Sequence, residues 1–487
     1  MADGELGRTT TENGPEQGVL QRASRGRPWL TLVATVLGGV LVGLDGTATT
    51  IAAPYISAEV GATLGELELI ANAYLVALAI ALLPAGRLAD RIGRRRTFVL
   101  GVLLFGLASL GIALSGTVTA LVLFRVLQGL AGALLQPAAL ALLRNAFPPG
   151  KLGLPLGVWG GVNALAIGLG PVIGGVIVQG FSWEAVFLLN VPVAAVVIGL
   201  TFWAVVESKG APKGVPGALR GLLRRRAVTL GAALVGFSSF GVFGLLFLLT
   251  LYLQNARGLP PIQAGAWMLP PTCVVVLSAP LGGLLAQRFG PRWPVSAGLL
   301  LVAAGLFSLA GLGTTSGFVD LLLPGALVGF GTGLCVIAAT EAILGASPEE
   351  SSGSASALQQ MATQIGGVLG IAAVGTMMSW QVLRTIPVRI EQAGLPEPVA
   401  DAVLRDTDAV AQGTVPAVLD GVEGSLGHAV QAVARLGFTD AMGVAMVLLA
   451  GVTLVGAVAA LWLPRPAQEP DVRPEPEEPE PAGSATR

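Results

Sequence analysis

Long apolar stretches, separated by short polar breaks, run through most of this chain. They fall at 29–53, 68–88, 97–115, 118–142, 154–179, 184–206, 228–253, 263–286, 293–312, 318–345, 354–379 and 438–463. Each has 19 to 28 residues, long enough for a helix to cross about 30 Å of hydrocarbon. The pattern predicts an all-α membrane protein of twelve transmembrane helices, called spans 1 to 12, with the lipid bilayer as a partner.

Polar segments flank the apolar stretches at both ends of the sequence. Residues 1–28 are polar and Gly-rich without an apolar core, which predicts a disordered cytoplasmic segment rather than a cleavable signal peptide. Residues 464–487 are rich in Pro and Glu, which predicts a disordered acidic tail. With 53% hydrophobic and 12% charged residues, the chain is too apolar for a water-soluble globular domain.

The basic residues between spans predict the orientation, because cytoplasmic loops carry an excess of Lys and Arg. If both termini are cytoplasmic, 22 of the 28 Lys and Arg residues face the cytoplasm and five face the outside. We therefore expect cytoplasmic termini and an external, partly helical loop at 381–437. The Ala-, Gly- and Arg-rich composition is typical of a GC-rich bacterial genome, so the expected location is the bacterial cell (inner) membrane.

An internal repeat predicts two similar halves. The hairpin string GRLADRIGRR at Gly86–Arg95 recurs as GLLAQRFGPR at Gly283–Arg292, with Gln287 in the place of Asp90. The expected units are six-helix halves at 29–206 and 228–463, joined by a cytoplasmic linker at 207–227. Such parallel halves usually enclose a site near the bilayer midplane and expose it to each side in turn. This organisation is typical of a transporter.

Charged residues inside the spans are few, and each costs about 2.5 to 3.5 kcal/mol at a helix centre unless it has a partner or a wet cavity. Asp45 in span 1 lies about 13 Å below the external end of its helix, and Arg125 in span 4 about 10 Å below. An ion pair or a shared water cavity is therefore expected. Two interpretations of Asp45 and Arg125 remain open: they bind protons or substrate, or they form a static ion pair that only joins two helices. Glu341 lies near the cytoplasmic end of span 10, where a solvated role and a site role are both open.

Neutral polar residues in the spans predict a substrate cavity. The neutral polar residues of span 4 lie on one face of its helix, and those of span 11 also share one face. Spans 2 and 5 contain isolated polar residues. The expected cavity lining consists of these neutral residues and of Glu341. The neutral residues are Asn72, Tyr74, Gln128, Gln136, Asn163, Gln360 and Gln364. Hydrogen bonding between helices is the alternative role of these residues. A mostly apolar cavity with Asp45 as its acid favours a small amphipathic or cationic substrate.

Several of these segments resemble a known family. GRLADRIGRRR at 86–96 resembles the signature loop of the major facilitator superfamily. LDGTATTIAAP at 44–54 and FRVLQGLAGA at 124–133 resemble the first-helix and fourth-helix motifs of its drug:proton antiporters. The spacing of glycines and a proline in span 5 resembles the fifth-helix antiporter motif. The residues concerned are Gly157, Gly170, Pro171, Gly174 and Gly175. FLLNVP at 187–192 and LYLQNARGLPPIQAG at 251–265 resemble sequences of the subgroup usually built with fourteen helices. The linker at 207–227 is too polar and too short to hold the two additional helices of that subgroup.

The resemblance implies the major facilitator fold and proton-coupled efflux of drugs or antibiotics by alternating access. Asp45 and Arg125 would couple protons to transport, driven by the proton motive force without a bound cofactor. The conformational hairpin would consist of Gly86, Asp90, Arg91, Gly93 and Arg94. Its Asp90 would accept from the amides of a neighbouring helix or pair with Arg94. The fifth-helix glycines would allow close packing, and Pro171 would bend that helix.

Other functional classes find less support in the sequence. No Lys precedes Ser or Thr as a phosphate-binding loop requires, and neither HExxH nor GxSxG occurs, so neither an ATPase nor an enzyme is expected. Cys273 and Cys335 lie in apolar stretches, which predicts no disulfide, and no metal site or nucleic-acid partner is expected. We expect a monomer. The remaining alternatives are a proton-coupled importer of a small organic nutrient and an exporter of an endogenous metabolite or lipid.

Overall fold

The computed structural model describes residues 27–148, 153–208, 218–347, 352–419 and 424–464. Twelve helices in these ranges are long and apolar enough to span a membrane, which confirms the predicted count. The described ranges contain no strand, so the all-α fold is also confirmed. The disorder predicted for 1–28 and 464–487 concerns segments that lie almost entirely outside the described residues, as does the middle of the 207–227 linker.

The first half contains spans 1 to 6, with span 6 broken near its start. The helices are Pro28–Val60, Leu64–Ile92, Arg94–Ala113, Val118–Ala146, Gly153–Gly180 and, in two pieces, Trp183–Leu188 and Asn190–Ala204. Gly61, with φ of +67°, makes the turn between spans 1 and 2. Thr63 and Glu66 then form a capping box that starts span 2.

The second half contains spans 7 to 12 and follows a short linker helix, Ala218–Leu223. Span 7 ends in a π turn, span 8 is broken at Met268, and span 12 ends in a 3-10 turn. The helices are Arg226–Leu251 with Tyr252–Ala256, Pro261–Trp267 with Leu269–Phe289, Arg292–Leu309, Phe318–Gly345, Ser352–Ala393, and Gly424–Ala459 with Ala460–Trp462.

Spans 11 and 12 are much longer than the apolar stretches 354–379 and 438–463 that predicted them. Hydropathy marks only the part of a helix that meets lipid, and these helices continue into polar sequence. Arg389 in the extension of span 11 forms an ion pair of 2.7 Å with Asp440, near the start of the apolar stretch of span 12. The rest of segment 381–437 holds the short helices Glu397–Arg405 and Thr407–Ala411 and the 3-10 turn Ala417–Leu419.

The halves meet mainly at one face of the bundle. We call the face that carries segment 381–437 the loop face, and the opposite face, where residues 27 and 464 lie, the termini face. One hydrophobic core contains residues of both halves: its second-half members lie toward the loop face, whereas its first-half members extend along the length of the bundle. Near the termini face each half has its own clusters, around Leu143 in the first half and around Val295 and Ile343 in the second.

Direct contacts between the halves follow the same distribution. Gln254 of span 7 donates to the Ile51 carbonyl of span 1 over 3.0 Å. In the middle of the bundle Thr272 of span 8 donates to the Gly168 carbonyl of span 5 over 2.9 Å. Among the described residues, no hydrogen bond joins the two halves near the termini face. The bundle is therefore closed at its loop face.

Candidate functional site

Asp45 and Arg125 form an ion pair inside the first half. Arg125 Nη1 lies 2.7 Å from Asp45 Oδ2, and the Arg125 and Asp45 side chains are 2% and 0% exposed, respectively. Span 1 supplies the carboxylate and span 4 the guanidinium, at the similar depths that the sequence predicted. The pairing that the sequence analysis expected is therefore present in the structure.

Two amides complete the surroundings of the Asp45 carboxylate. Gln128 Nε2 and Asn190 Nδ2 each donate to Asp45 Oδ1 over 2.9 Å. The same two amide groups donate to Ser109 Oγ over 2.9 and 3.2 Å. Spans 1, 3, 4 and 6 thus meet in one polar network. A buried carboxylate needs such partners, because burying an unpaired charge is very costly.

Arg125 is held by further groups on its other sides. Its Nη1 donates to Gln128 Oε1 over 2.7 Å, and its Nε donates to the Ile70 carbonyl over 3.4 Å. The guanidinium carbon lies 4.6 Å from the centre of the Tyr74 ring and 5.9 Å from that of Phe187. These ring faces add cation–π attraction to the hydrogen bonds. Movement of Arg125 therefore disturbs several spans at once.

This arrangement has two chemical states. With Asp45 ionised, the carboxylate would attract Arg125, and both of its oxygens would accept the hydrogen bonds described above. A proton on Asp45 would remove the attraction and turn one oxygen from an acceptor into a donor. Arg125 would then need another anion, water or the substrate as its partner.

A small cavity lies next to the pair, between the two halves. Its free volume is about 40 Å³, which is enough for one or two waters but far below the 300 to 1,000 Å³ of typical ligand sites. Arg125 and Tyr74 line it, and Asp45 does not. The other lining residues are Gly46, Thr47, Thr49, Thr50, Ala53, Ile56, Leu67, Ile70, Ala71, Leu75, Phe243, Leu246, Phe247 and Ile371.

The remaining predicted cavity residues lie elsewhere. Asn72 is half-buried, and its Oδ1 is buried without a hydrogen-bond partner. Asn163 donates to the Trp159 carbonyl over 2.6 Å and packs on Gly39 of span 1, so it joins spans 1 and 5. Neither residue lines the 40 Å³ cavity. The same is true of Gln136 and Gln360, which are half-buried, and of Gln364, which is buried.

Glu341 lies near the termini face of the second half, away from the cavity. Gln287 Nε2 donates to Glu341 Oε1 over 3.3 Å, beside Gly283. Gln287 is the residue that replaces Asp90 in the repeated hairpin. Glu341 thus contacts the second hairpin rather than the Asp45 network.

The first hairpin is closed by a residue that the sequence analysis did not single out. Glu207 Oε1 accepts from the amides of Arg95 and Ser208 over 3.0 and 3.1 Å, and Glu207 Oε2 lies 3.7 Å from Arg96 Nε. A carboxylate at the start of span 3 is favoured by the helix dipole. The side chain of Asp90 lies outside the described residues.

The other hairpin residues lie around this turn. Gly93 makes the turn itself with φ of +117°. Gly86 and Arg91 lie in the last turns of span 2, and Arg94 is half-buried at the start of span 3.

The fifth-helix motif packs span 5 against two neighbours. Gly170 and Gly174 lie against Thr47 and Ala48 of span 1, and a Cβ at Gly174 would come within 3.0 Å of Ala48. Gly175 contacts the Pro261 backbone of span 8, and Pro171 contacts Gly265 of the same span. Gly157 is helical near the other end of span 5. The motif therefore joins the halves as well as helices within the first half.

Matches to known proteins agree with this architecture. The family description Major Facilitator Superfamily matches residues 35–371. This chain belongs to the major facilitator superfamily. The resemblance stated from the motifs is thereby confirmed. The fourteen-helix subgroup is not confirmed, because the described residues contain twelve spans.

Similar proteins include several bacterial resistance proteins. The tetracenomycin C resistance and export protein of Streptomyces glaucescens is 37% identical, covering 95% of this chain and 96% of its own. The multidrug resistance protein Stp of Mycobacterium tuberculosis is 30% identical, covering 77% of this chain and 80% of its own. In fold, the chain is similar to a bacterial homologue of the human lysosomal transporter Spinster in an inward-facing, unoccupied conformation. That match has a TM-score of 0.69 and 19% identity, and it covers 89% of this chain and 98% of the other.

Proposed function

We propose that this protein exports small amphipathic or cationic molecules of the drug and antibiotic type in exchange for protons. The observation that carries the proposal is the sealed Asp45–Arg125 pair beside a cavity between the halves. An intramembrane ion pair of this kind marks a substrate or proton path by default. Similarity to a resistance and export protein over almost the whole chain supports outward transport.

The proposed orientation places the termini face in the cytoplasm of a bacterial cell. The distribution of Lys and Arg supports it, because 22 of 28 would then be cytoplasmic. In this orientation the structure faces inward, since the halves meet at the external loop face. The proposed unit is a monomer, without nucleic acid or a metal.

In the proposed cycle, substrate and proton compete for the same network. A substrate enters from the cytoplasm when the halves separate further, because the present cavity is too small for it. It displaces the proton from Asp45, and the ionised carboxylate pairs with Arg125. The halves then rock, the substrate leaves outside, and a proton from outside returns to Asp45. The proton motive force supplies the energy, and no step requires a cofactor.

The proposal is tested by the direction and the energy source of transport. Cells lacking their own pumps and expressing this protein should resist several unrelated toxins, and collapse of the proton gradient should abolish that resistance. In right-side-out vesicles, an acidic exterior should drive toxin out. Accumulation of a nutrient under the same gradient would instead identify the importer. Export of a single host metabolite or lipid without toxin resistance would identify the remaining alternative.

A further inference from the structure

A segment of the second half forms hydrogen bonds with the first half at the loop face. We call residues 397–412 the strap. Its Gln412 accepts from Ser57 Oγ over 2.7 Å and donates from Nε2 to the Ala62 carbonyl over 3.3 Å. Asp408 Oδ2 accepts from the Leu64 amide over 2.8 Å. The strap thus binds the turn that connects spans 1 and 2.

The strap is also tied to its own half. Asn255 at the end of span 7 donates to the Gln412 carbonyl over 2.7 Å. Within the strap, Gln412 Nε2 donates to Asp408 Oδ2 over 3.0 Å. The negative charge of Asp408 lies at the N-terminus of span 2, where the helix dipole stabilises it. These bonds can persist only while the two halves stay together at this face.

A second carboxylate lies one helical turn further along span 2. The carboxylate of Glu68 occupies the space that a side chain at Gly375 of span 11 would fill. Glu68 is therefore held between the halves. No described residue donates a hydrogen bond to it.

Among the described residues, no positively charged group pairs with Glu68. Asp408 of the strap carries the same sign of charge and accepts from the Leu64 amide, one helical turn before Glu68 on the same helix. On its own helix, Glu66 is turned toward Thr63. On span 11, Arg384 lies over the Trp380 ring at 3.8 Å. The remaining strap acids point elsewhere: Asp401 pairs with Arg405, and Asp406 accepts from the Ala409 amide.

An ionised Glu68 at this position costs free energy, because a half-buried charge lacks a partner and faces another carboxylate. A proton on Glu68 removes both costs. When spans 2 and 11 separate, water reaches the carboxylate and the ionised form becomes acceptable. Closing the loop face is thereby linked to the uptake of one proton at Glu68.

We propose that the strap is the latch of the external gate and that Glu68 is a second proton-binding site, which must be protonated for the gate to close. Unlike the proton on Asp45, this proton returns to the external medium when the gate opens. It biases the conformation without being carried across. The external location rests on the proposed function and its orientation, whereas the link between proton and gate does not depend on transport.

Distances across the gate, measured on purified protein, test this proposal independently of transport. Spin labels at Gly65→Cys in span 2 and Leu383→Cys in span 11 occupy two exposed positions on opposite halves. Cys273 and Cys335 are replaced by Ala, and the protein is placed in lipid nanodiscs. A background with both Asp45→Asn and Arg125→Gln removes the other proposed proton site without leaving an unpaired buried charge, so failure of the proposed coupling would not affect the result.

The expected result is a closed population that grows as the pH falls, with a closed-to-open ratio that changes by up to about tenfold per pH unit for one proton. Glu68→Gln should stay closed and lose this pH dependence, and Glu68→Asp should keep it. Gln412→Ala should favour the open form on the order of tenfold while keeping the pH dependence. The exposed control Asp401→Asn should behave like the parent.

Two results would overturn the proposal. If Glu68→Gln shows the same pH dependence as the parent, Glu68 is not the proton site of the gate. If Gln412→Ala leaves the populations unchanged, the strap is not a latch.

Discussion

Breaking the Asp45–Arg125 pair from one side should be far more harmful to stability than removing both charges. Arg125→Gln leaves the buried Asp45 carboxylate with two amide donors and no cation. Loss of one partner from a buried pair costs about 3 to 5 kcal/mol. Asp45→Asn added to that variant removes the unpaired charge, and the double variant should recover at least about 2 kcal/mol of the loss.

The free energy of unfolding can be measured in mixed micelles titrated with SDS, alongside toxin efflux from cells. The Arg389–Asp440 pair is a matched control, because its distance is also 2.7 Å but both side chains are 34% exposed. Arg389→Gln should cost less than about 1 kcal/mol. The double variant at Asp45 and Arg125 should be stable but inactive in proton-driven efflux.

Two outcomes would refute this reasoning. If the changes in the free energy of unfolding caused by Asp45→Asn and Arg125→Gln simply added in the double variant, the two side chains would not interact energetically. A stable double variant with parental efflux would mean that the pair only staples two helices.

Three further predictions follow from contacts outside the pair. Gly175→Leu should prevent closure at the loop face, because the new side chain meets the Pro261 backbone; Gly180→Leu, with open space around it, is the control. The measure is the reaction of an impermeant thiol reagent with a cysteine introduced into the cavity lining by Thr50→Cys. Glu207→Ala should weaken the start of span 3 by about 0.5 to 2 kcal/mol and slow transport without loss of equilibrium substrate binding, measured by radioligand binding. Glu341→Gln should keep proton-driven efflux, measured in vesicles, since Glu341 lies away from the Asp45 network.

Sequence analysis could predict those site residues whose side-chain type is energetically costly inside an apolar helix. Charges are costly in apolar helices, so Asp45 and Arg125 could be singled out and matched by depth. Asn190 and Ser109 belong to the same network, yet an isolated neutral polar residue in a span carries no comparable signal. Asn190 lies within the FLLNVP string, and the resemblance of that string to a transporter subgroup was the available hint.

Helix ends and contacts between halves were harder to predict. Hydropathy reports where a helix meets lipid, so it could not show that the last two spans continue through polar sequence. Glu68 lies at the edge of its apolar stretch, where a charge looks like a normal helix boundary. Its position against Gly375 depends on how span 11 packs in three dimensions. The contacts of Gln412 arise in the same way.

Proton release from proteoliposomes tests the central claim most directly, namely that Asp45 exchanges a proton for substrate. Addition of a transported toxin should release protons from the parent protein and drive efflux under an imposed pH gradient. Asp45→Asn should insert normally but show neither proton release nor gradient-driven efflux, and Asp45→Glu should keep part of both. If Asp45→Asn retained parental proton release and efflux, Asp45 would not be the coupling residue, and the proposed exchange of proton for substrate at this carboxylate would be contradicted.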